Sequence, residues 1–202
     1  MTPKRNERGQ VSFVAQRFGP DPQDAPFIAP PGSVGEVADV DSMRVALAQA
    51  ERGLEAGAMP IGAVLVHGAE ILAEAHWKGA VYGLLAHPEH TVLVTADALI
   101  PFEARREATL YTTLEPCLMC VGTAMSFCLG RIVYAMAAPA DGSAKVMRQW
   151  CPELGHPTDA GPYALPEIEG GVSEADARAL VLSWLETGVT GPEADFARRT
   201  LG

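Results

Sequence analysis

Apolar and polar positions alternate along most of the chain in the two rhythms that distinguish helices from strands. Asp41 can cap a helix running to about Glu55, whose single apolar stripe consists of Met43, Leu47, Ala50 and Leu54. Short apolar or β-branched runs bounded by turn residues predict strands. We predict further helices over 88–99, 117–129 and 173–186, a short helical piece over 144–150, and strands over 61–66, 71–77, 110–114, 131–136 and 165–168. This order predicts an α/β chain in which a mixed sheet carries helices on both faces.

The first 38 residues lack this periodicity and contain six prolines. The whole chain of 202 residues is long enough for one ordinary domain with a substantial core. We therefore predict a Pro-rich N-terminal extension over 1–38, one folded domain over 39–190, and a C-terminal tail over 191–202.

Composition indicates where such a chain works. No apolar run approaches the ~18 residues of a membrane span, and the basic stretch 1–10 is not followed by the apolar segment of a secretory signal. Four cysteines, two of them three positions apart, fit a reducing compartment better than a disulfide framework. We predict a cytoplasmic protein with no membrane partner.

Charge is distributed unevenly along the chain. Residues 1–20 carry a net charge of +3, so the remaining 182 residues must carry −13, since the whole chain carries −10. An acidic body repels phosphate backbones and gives no electrostatic footprint for general nucleic-acid binding. A solvated acidic surface is the commoner explanation of such a balance.

Two short segments carry candidate chemistry. Pro116-Cys117-Leu118-Met119-Cys120 follows a β-branched run, and His87-Pro88-Glu89 lies about thirty residues upstream. Cysteines at i and i+3 lie on one face of a helix, so both sulfurs can reach one metal ion, and Pro116 suits a helix start. His87 would add a nitrogen ligand. Three protein ligands leave the fourth tetrahedral position open for water, which is typical of a catalytic zinc site.

Glu89 is the candidate proton carrier of that site. At a helix start, side chains two residues apart can both face a metal ion in front of the N-terminus. Zinc lowers the pKa of bound water from ~16 toward ~7, and a carboxylate that is not a ligand could take the water's proton and pass it to a leaving amine.

Two other interpretations of the cysteine pair remain open. It could be a redox pair, or a structural zinc site closed by Cys151 or His90. Cys128 lies eight residues beyond Cys120, about 12 Å along a helix that rises ~1.5 Å per residue. It cannot complete the site and is better explained as a small core residue.

Together these segments form the signature H-x-E…P-C-x-x-C of the zinc nucleobase deaminases. The stretches 59–66, 110–117 and 130–134 also resemble segments of bacterial tRNA adenosine deaminases and of guanine and cytosine deaminases. The resemblance covers roughly residues 40–187. It implies a three-layer α/β/α cytidine deaminase-like fold with a five-stranded mixed sheet, hydrolytic deamination, zinc, and usually a homodimer. By the family pattern, His87, Cys117 and Cys120 are the zinc ligands and Glu89 is the proton shuttle.

Two departures from the family pattern concern the substrate. Relatives acting on adenine, guanine or cytosine typically place an asparagine after the second strand, but here the region reads Trp77-Lys78-Gly79, and Asn6 is the only asparagine. Many relatives also contact the bound base through a backbone N–H at the position of Pro88, and proline has none. We infer a different substrate or a different pose.

Three hypotheses of function follow. The first is a zinc-dependent hydrolytic deaminase of a small nucleobase, nucleoside or related amino-heterocycle. The second is a tRNA-specific adenosine deaminase, which is disfavoured by the acidic body and the missing asparagine. The third, from another class, is a non-catalytic zinc-stabilised binding module.

Overall fold

A computed structural model describes residues 39–79, 83–146 and 164–202. The predicted extension over 1–38 and most of the helical piece predicted over 144–150 lie outside these ranges. The elements, numbered here in chain order, are α1 (Asp39–Glu55), β1 (Gly62–His67), β2 (Glu70–His76), α2 (Pro88–Ala96), a 3₁₀ helix (Phe102–Glu107), β3 (Ala108–Leu114), α3 (Leu118–Phe127), β4 (Arg131–Met136), β5 (Glu167–Gly170), α4 (Glu174–Glu186) and α5 (Pro192–Leu201).

The five strands form one sheet in the order β2-β1-β3-β4-β5. Strand β1 pairs antiparallel with both β2 and β3, whereas β3 pairs parallel with β4 and β4 pairs parallel with β5. Strand β5, which overlaps the strand predicted over 165–168, occupies an edge of this sheet. The prediction of a mixed five-stranded sheet is therefore confirmed.

Each face of the sheet buries its own apolar cluster, because successive strand residues point to opposite faces. Along β1, Ala63 and Leu65 join a cluster with residues of α2 and α3, while Val64 and Val66 join a second cluster with residues of α1, α4 and α5. The result is the predicted three-layer α/β/α architecture.

Helix α1 lies directly against the start of β1. A Cβ atom added at Gly62 would lie 2.1 Å from the Ala46 carbonyl oxygen and 2.5 Å from the Ala50 nitrogen, so only glycine permits this approach. The Gly62 N–H also donates to the Thr113 hydroxyl of β3 at 3.0 Å. The segment just before β1, which contains Met59 and Ile61, is thereby held close to the end of β3.

A polar network ties the other end of α1 to the sheet. Arg131 of β4 donates to both carboxylate oxygens of Asp39 at 2.7 and 2.8 Å and to Glu169 of β5 at 2.6 Å, and the Tyr111 hydroxyl donates to Asp39 at 2.8 Å. The hydrogen bond from Arg131 holds the pKa of Asp39 below its usual value, while burial and the bond to Asp39 raise the pKa of Tyr111 to about 12. This network joins three strands to the first helix.

The cysteine helix, predicted over 117–129 with Gly130 as the glycine that follows its end, ends two residues earlier. Helix α3 ends at Phe127, and Cys128 adopts the left-handed conformation with φ 67°. Gly130 serves another purpose, since a Cβ atom there would lie 1.8 Å from the Arg106 carbonyl oxygen. The glycine thus permits close packing against the 3₁₀ helix.

Residues 191–202, set apart above as a C-terminal tail, contain helix α5. Ala194, Ala197 and Thr200 are buried against the body of the protein, and Arg178 of α4 donates to the Leu201 carbonyl oxygen. The apolar stripe of α5 consists largely of alanine, which gives a weak hydrophobic signal in the sequence. No helix in the described ranges is long and apolar enough to cross a membrane.

Candidate metal centre and active-site pocket

The starts of two helices place the predicted metal ligands opposite each other. His87 is the N-cap residue of α2 and Cys117 is the N-cap residue of α3, and both have extended backbone conformations. Pro88 occupies the first helical position of α2, as predicted. Because cap residues project in front of the helix, the two side chains enter the same space.

The three predicted ligand atoms have the spacing that a tetrahedral zinc ion requires. The sulfurs of Cys117 and Cys120 are 3.7 Å apart, and each lies 3.6 Å from Nδ1 of His87. Bond lengths of about 2.3 Å for Zn–S and 2.0 Å for Zn–N, at tetrahedral angles, give ligand-to-ligand distances of about 3.5–3.8 Å. Two sulfurs and an imidazole are also a donor set that zinc prefers. The arrangement therefore fits the ion.

The residues considered for a closed structural site do not join this group. Among the described residues, the metal-binding group comprises His87, Cys117 and Cys120, without His90 or Cys128. Cys151 lies outside the described residues. Cys128 is buried at the far end of α3, which agrees with its interpretation as a core residue.

The hydrogen bonds among the three side chains favour the ligand form of one cysteine. The hydrogen bond from Cys120 lowers the pKa of the Cys117 thiol to about 4. The same bond, with burial, raises the pKa of Cys120, and the bond to Cys117 raises the pKa of His87. A thiolate at Cys117 is the species that binds a metal ion.

Glu89 lies beside the group and is almost completely buried, with 3% of its surface exposed. One carboxylate oxygen accepts a hydrogen bond of 2.7 Å from the Thr112 hydroxyl, and the other lies 3.6 Å from the Cys120 sulfur. Burial raises the pKa of Glu89 above its usual value. A carboxyl group of raised pKa, next to a metal centre, has the properties of a general acid and base.

The loop after β4, for which the sequence predicts no role, also lies against the candidate metal centre. Both carboxylate oxygens of Glu115 accept backbone hydrogen bonds, from Ala138 at 3.0 Å and from Ala144 at 3.1 Å. The Ser143 hydroxyl donates to the Pro116 carbonyl oxygen at 2.9 Å, and Gly142 forms a β-bridge with Cys117. The loop after β4 is therefore fastened to the backbone of a predicted ligand.

Replacing Gly142 with alanine is expected to weaken this attachment. A Cβ atom there would lie 2.3 Å from a Glu115 carboxylate oxygen and 2.7 Å from the Ala138 carbonyl oxygen. Overpacking of this kind costs about 1–3 kcal/mol, so we expect a lower melting temperature and less zinc per chain, measured by calorimetry and metal analysis.

The matched control for that variant is Gly122→Ala in helix α3. No atom lies within 4 Å of a Cβ added at Gly122, and alanine is favoured over glycine inside a helix by up to ~1 kcal/mol. The control should be unchanged or slightly stabilised. Equal melting temperatures and zinc contents in the two variants would contradict the role assigned to the loop.

Three of the predicted site residues, His87, Glu89 and Cys117, line a cavity of about 240 Å³. It is lined by Met59, Ile61, Trp77, Leu84, His87, Pro88, Glu89, Leu114, Glu115, Cys117, Asp141, Pro192, Glu193 and Phe196. The ring of Trp77 meets the ring of His87 edge to face, with centroids 5.5 Å apart. No sequence motif points to Trp77, Asp141, Glu193 or Phe196. Of the four, Asp141 alone lies in a stretch whose turn-rich composition marks a loop.

Comparison with known proteins agrees with this geometry. Residues 37–136 match the family model described as the cytidine and deoxycytidylate deaminase zinc-binding region. A tRNA-specific adenosine deaminase of Bacillus subtilis (strain 168) is 33% identical over 141 residues, which cover 68% of this chain and 88% of that protein.

Solved structures of deaminases share the fold. A structure from a study of tRNA:A34 deaminases is similar with a TM-score of 0.56 and 27% identity, over 69% of this chain and 97% of that chain. The guanine deaminase of Nitrosomonas europaea has a TM-score of 0.58 and 17% identity, over 87% of this chain and 98% of that chain. At that identity, the second likeness concerns the fold alone.

Proposed function

The chain belongs to the cytidine and deoxycytidylate deaminase family of zinc-dependent enzymes, and on that premise we propose that it hydrolytically deaminates a small nucleobase, nucleoside or related amino-heterocycle. The observation that carries this proposal is the cavity of about 240 Å³, whose wall includes Glu89 and two members of the metal-binding group, His87 and Cys117, together with apolar side chains. Its volume lies just below the ~300–1,000 Å³ range of ligand pockets and suits one small ring compound.

In the proposed reaction, three side chains bind the metal ion and a fourth transfers protons. In this proposal His87, Cys117 and Cys120 hold zinc, which lowers the pKa of water and so supplies a nucleophile at neutral pH. Glu89 would accept one proton of the attacking water and pass it to a ring nitrogen, and would then carry the second proton, from the added hydroxyl group, to the departing amine. One water molecule adds at the ring carbon, and one ammonia molecule leaves.

The walls of the cavity orient the substrate. Trp77, Met59 and Leu114 are all buried. Their apolar side chains line the cavity beside the metal centre. Aromatic and aliphatic side chains of this kind pack against the faces of a planar heterocycle. Exclusion of water by the same surfaces strengthens the electrostatic interactions of Glu89 with the reacting atoms.

A second candidate function is deamination of adenosine in transfer RNA. It is favoured by the Bacillus subtilis relative, which is named a tRNA-specific adenosine deaminase. Against it stand the net charge of −10, the absence of asparagine beyond Asn6, and the proline at the start of α2. We therefore rank transfer RNA below a small substrate.

An ammonia-release screen distinguishes the two. The purified protein is offered free bases, nucleosides, nucleotides, aminated heterocycles and a tRNA anticodon stem-loop under identical conditions. We expect ammonia from at least one small compound. Ammonia from the stem-loop alone would contradict the proposed substrate class and leave the deaminase assignment intact.

Two further expectations belong to this proposal. Helices α2 and α3 pack on the same face of the sheet, and each exposes a large apolar side chain, Val94 at 58% and Leu118 at 49%. Single exposed apolar residues are also common on monomers, so the expected homodimer stays a prediction from the family resemblance. The cytoplasmic location stays a prediction from the cysteine content of the chain.

A further inference from the structure

We infer that the substrate carries no phosphate and that Asp141 and Glu193 select it by accepting hydrogen bonds from its N–H groups. The inference rests on the proposed function and names the substrate class of that same pocket. It assigns specificity to a loop and a helix that lie outside the signature motifs.

The first support is the sign of the charge around the cavity. Four carboxylates, those of Glu89, Glu115, Asp141 and Glu193, line it. Among the lining residues in the described ranges, none is lysine or arginine. A phosphate needs cationic side chains or free backbone N–H groups, and this wall offers carboxylates instead.

The start of helix α2 does not compensate for the missing cations. A helix N-terminus normally binds anions through its unpaired N–H groups. At α2 the first helical residue is Pro88, which lines the cavity and carries no N–H. One of the donors that a phosphate would need is therefore absent at the place nearest the metal centre.

Two of the four carboxylates already have partners. Glu89 accepts the hydrogen bond from Thr112. Both oxygens of Glu115 accept backbone N–H groups, from Ala138 and Ala144. The role assigned to Glu89 is proton transfer, and the role of Glu115 is to attach the loop after β4.

The other two carboxylates are available to a ligand. Asp141 donates its backbone N–H to the Ala138 carbonyl oxygen at 3.2 Å, but within the part of the chain that the structure describes no hydrogen bond or ion pair involves the side-chain carboxylate of Asp141 or of Glu193. An ionised carboxylate only accepts hydrogen bonds, so its complement on a ligand is an amino group or a ring N–H. Amino-heterocycles carry such groups and a phosphate dianion does not.

Helix α5 holds Glu193 in place. The glutamate lies in the first turn of α5, and Phe196 lines the cavity one turn later. Ala194 and Ala197, on the same helix, are completely buried. The orientation of Glu193 therefore depends on the packing of the whole helix.

The experiment compares substrates that differ only by a phosphate. Adenosine and AMP, cytidine and CMP, and guanosine and GMP are measured with the corresponding free bases by steady-state ammonia release. For whichever ring is deaminated, we expect the KM of the monophosphate to exceed that of its unphosphorylated partner by at least about tenfold, since the phosphate would approach two unpaired carboxylates.

Variants of the two carboxylates test their role directly. Glu193→Gln and Asp141→Asn keep the shape and remove the charge, so each should raise the KM of the unphosphorylated substrate by roughly tenfold and change kcat little. Glu193→Lys should reduce the ratio of the KM of the monophosphate to the KM of its unphosphorylated partner. Asp195→Asn is the matched control, because Asp195 lies on the same helix, pairs with Arg198 at the surface and does not line the cavity.

The possible outcomes distinguish failure of the proposed deaminase function from failure of substrate selection by Asp141 and Glu193. Ammonia from none of the small compounds would contradict the proposed function itself. Deamination of a monophosphate as efficiently as its partner, or unchanged KM values in both Glu193→Gln and Asp141→Asn, would contradict only the selection by these carboxylates. Melting temperature and zinc content, compared with Asp195→Asn, show whether each variant is folded.

Discussion

Replacing Glu89 with glutamine is expected to reduce ammonia release by about a hundred- to ten-thousandfold, which is the contribution typical of a positioned general acid and base. Glutamine keeps nearly the same shape and can still accept the hydrogen bond from Thr112. It cannot carry the proton from water to the leaving amine. The measurement is the steady-state rate on the best compound of the screen.

Zinc content and melting temperature should change little in Glu89→Gln, because Glu89 is not part of the metal-binding group. Glu103→Gln, an exposed carboxylate of the 3₁₀ helix, is the matched control and should keep full activity. Undiminished turnover in Glu89→Gln would refute its role as proton carrier. If the unaltered protein deaminates nothing, the zinc-stabilised binding module remains as the surviving hypothesis.

Replacing Cys120 with alanine is expected to remove zinc from the protein. We expect about one zinc per chain in the unaltered protein, because three side chains at tetrahedral spacing form one site. Without the fully buried Cys120 sulfur, two ligands remain, and metal analysis should find far less than one equivalent.

The same variant should also lose stability and activity. A ligand that binds only the folded protein stabilises it by about 4 kcal/mol when its concentration is a thousand times its Kd. Loss of zinc should therefore lower the melting temperature clearly. Cys128→Ala is the matched control, since Cys128 is also a buried cysteine at the end of the same helix but lies outside the group. One equivalent of zinc in Cys120→Ala would exclude Cys120 as a ligand.

These predictions rest on short-range features of the sequence. Cysteines three residues apart after a proline share one helix face in almost any fold, and His87 and Glu89 are two residues apart at a helix start. Within its described ranges the structure forms ten helices and strands through residue 186, and hydrophobic periodicity predicted nine of them to within three residues at their ends. The exception is the 3₁₀ helix (Phe102–Glu107). Local rules of this kind need no knowledge of long-range packing.

The end of α3 illustrates where local rules stop. The glycine at position 130 predicted a helix end there, because glycine commonly occupies the left-handed position after a helix. In the structure Cys128 takes the left-handed conformation. A glycine is needed at position 130 because any side chain there would collide with the Arg106 carbonyl oxygen. The reason for this glycine is a contact with a segment more than twenty residues away.

The residue types and short spacings of His87-Pro88-Glu89 and Pro116-Cys117-Leu118-Met119-Cys120 were enough to predict the metal-binding group and the role of Glu89. The residues that surround this site follow from long-range packing and could be identified only in the folded structure. Asp141 reaches the cavity through the hydrogen bonds of Glu115 to the loop after β4, and Glu193 reaches it through the burial of small alanines on α5. Such placements arise from packing between distant segments, which leaves no periodic or spaced signal in the chain.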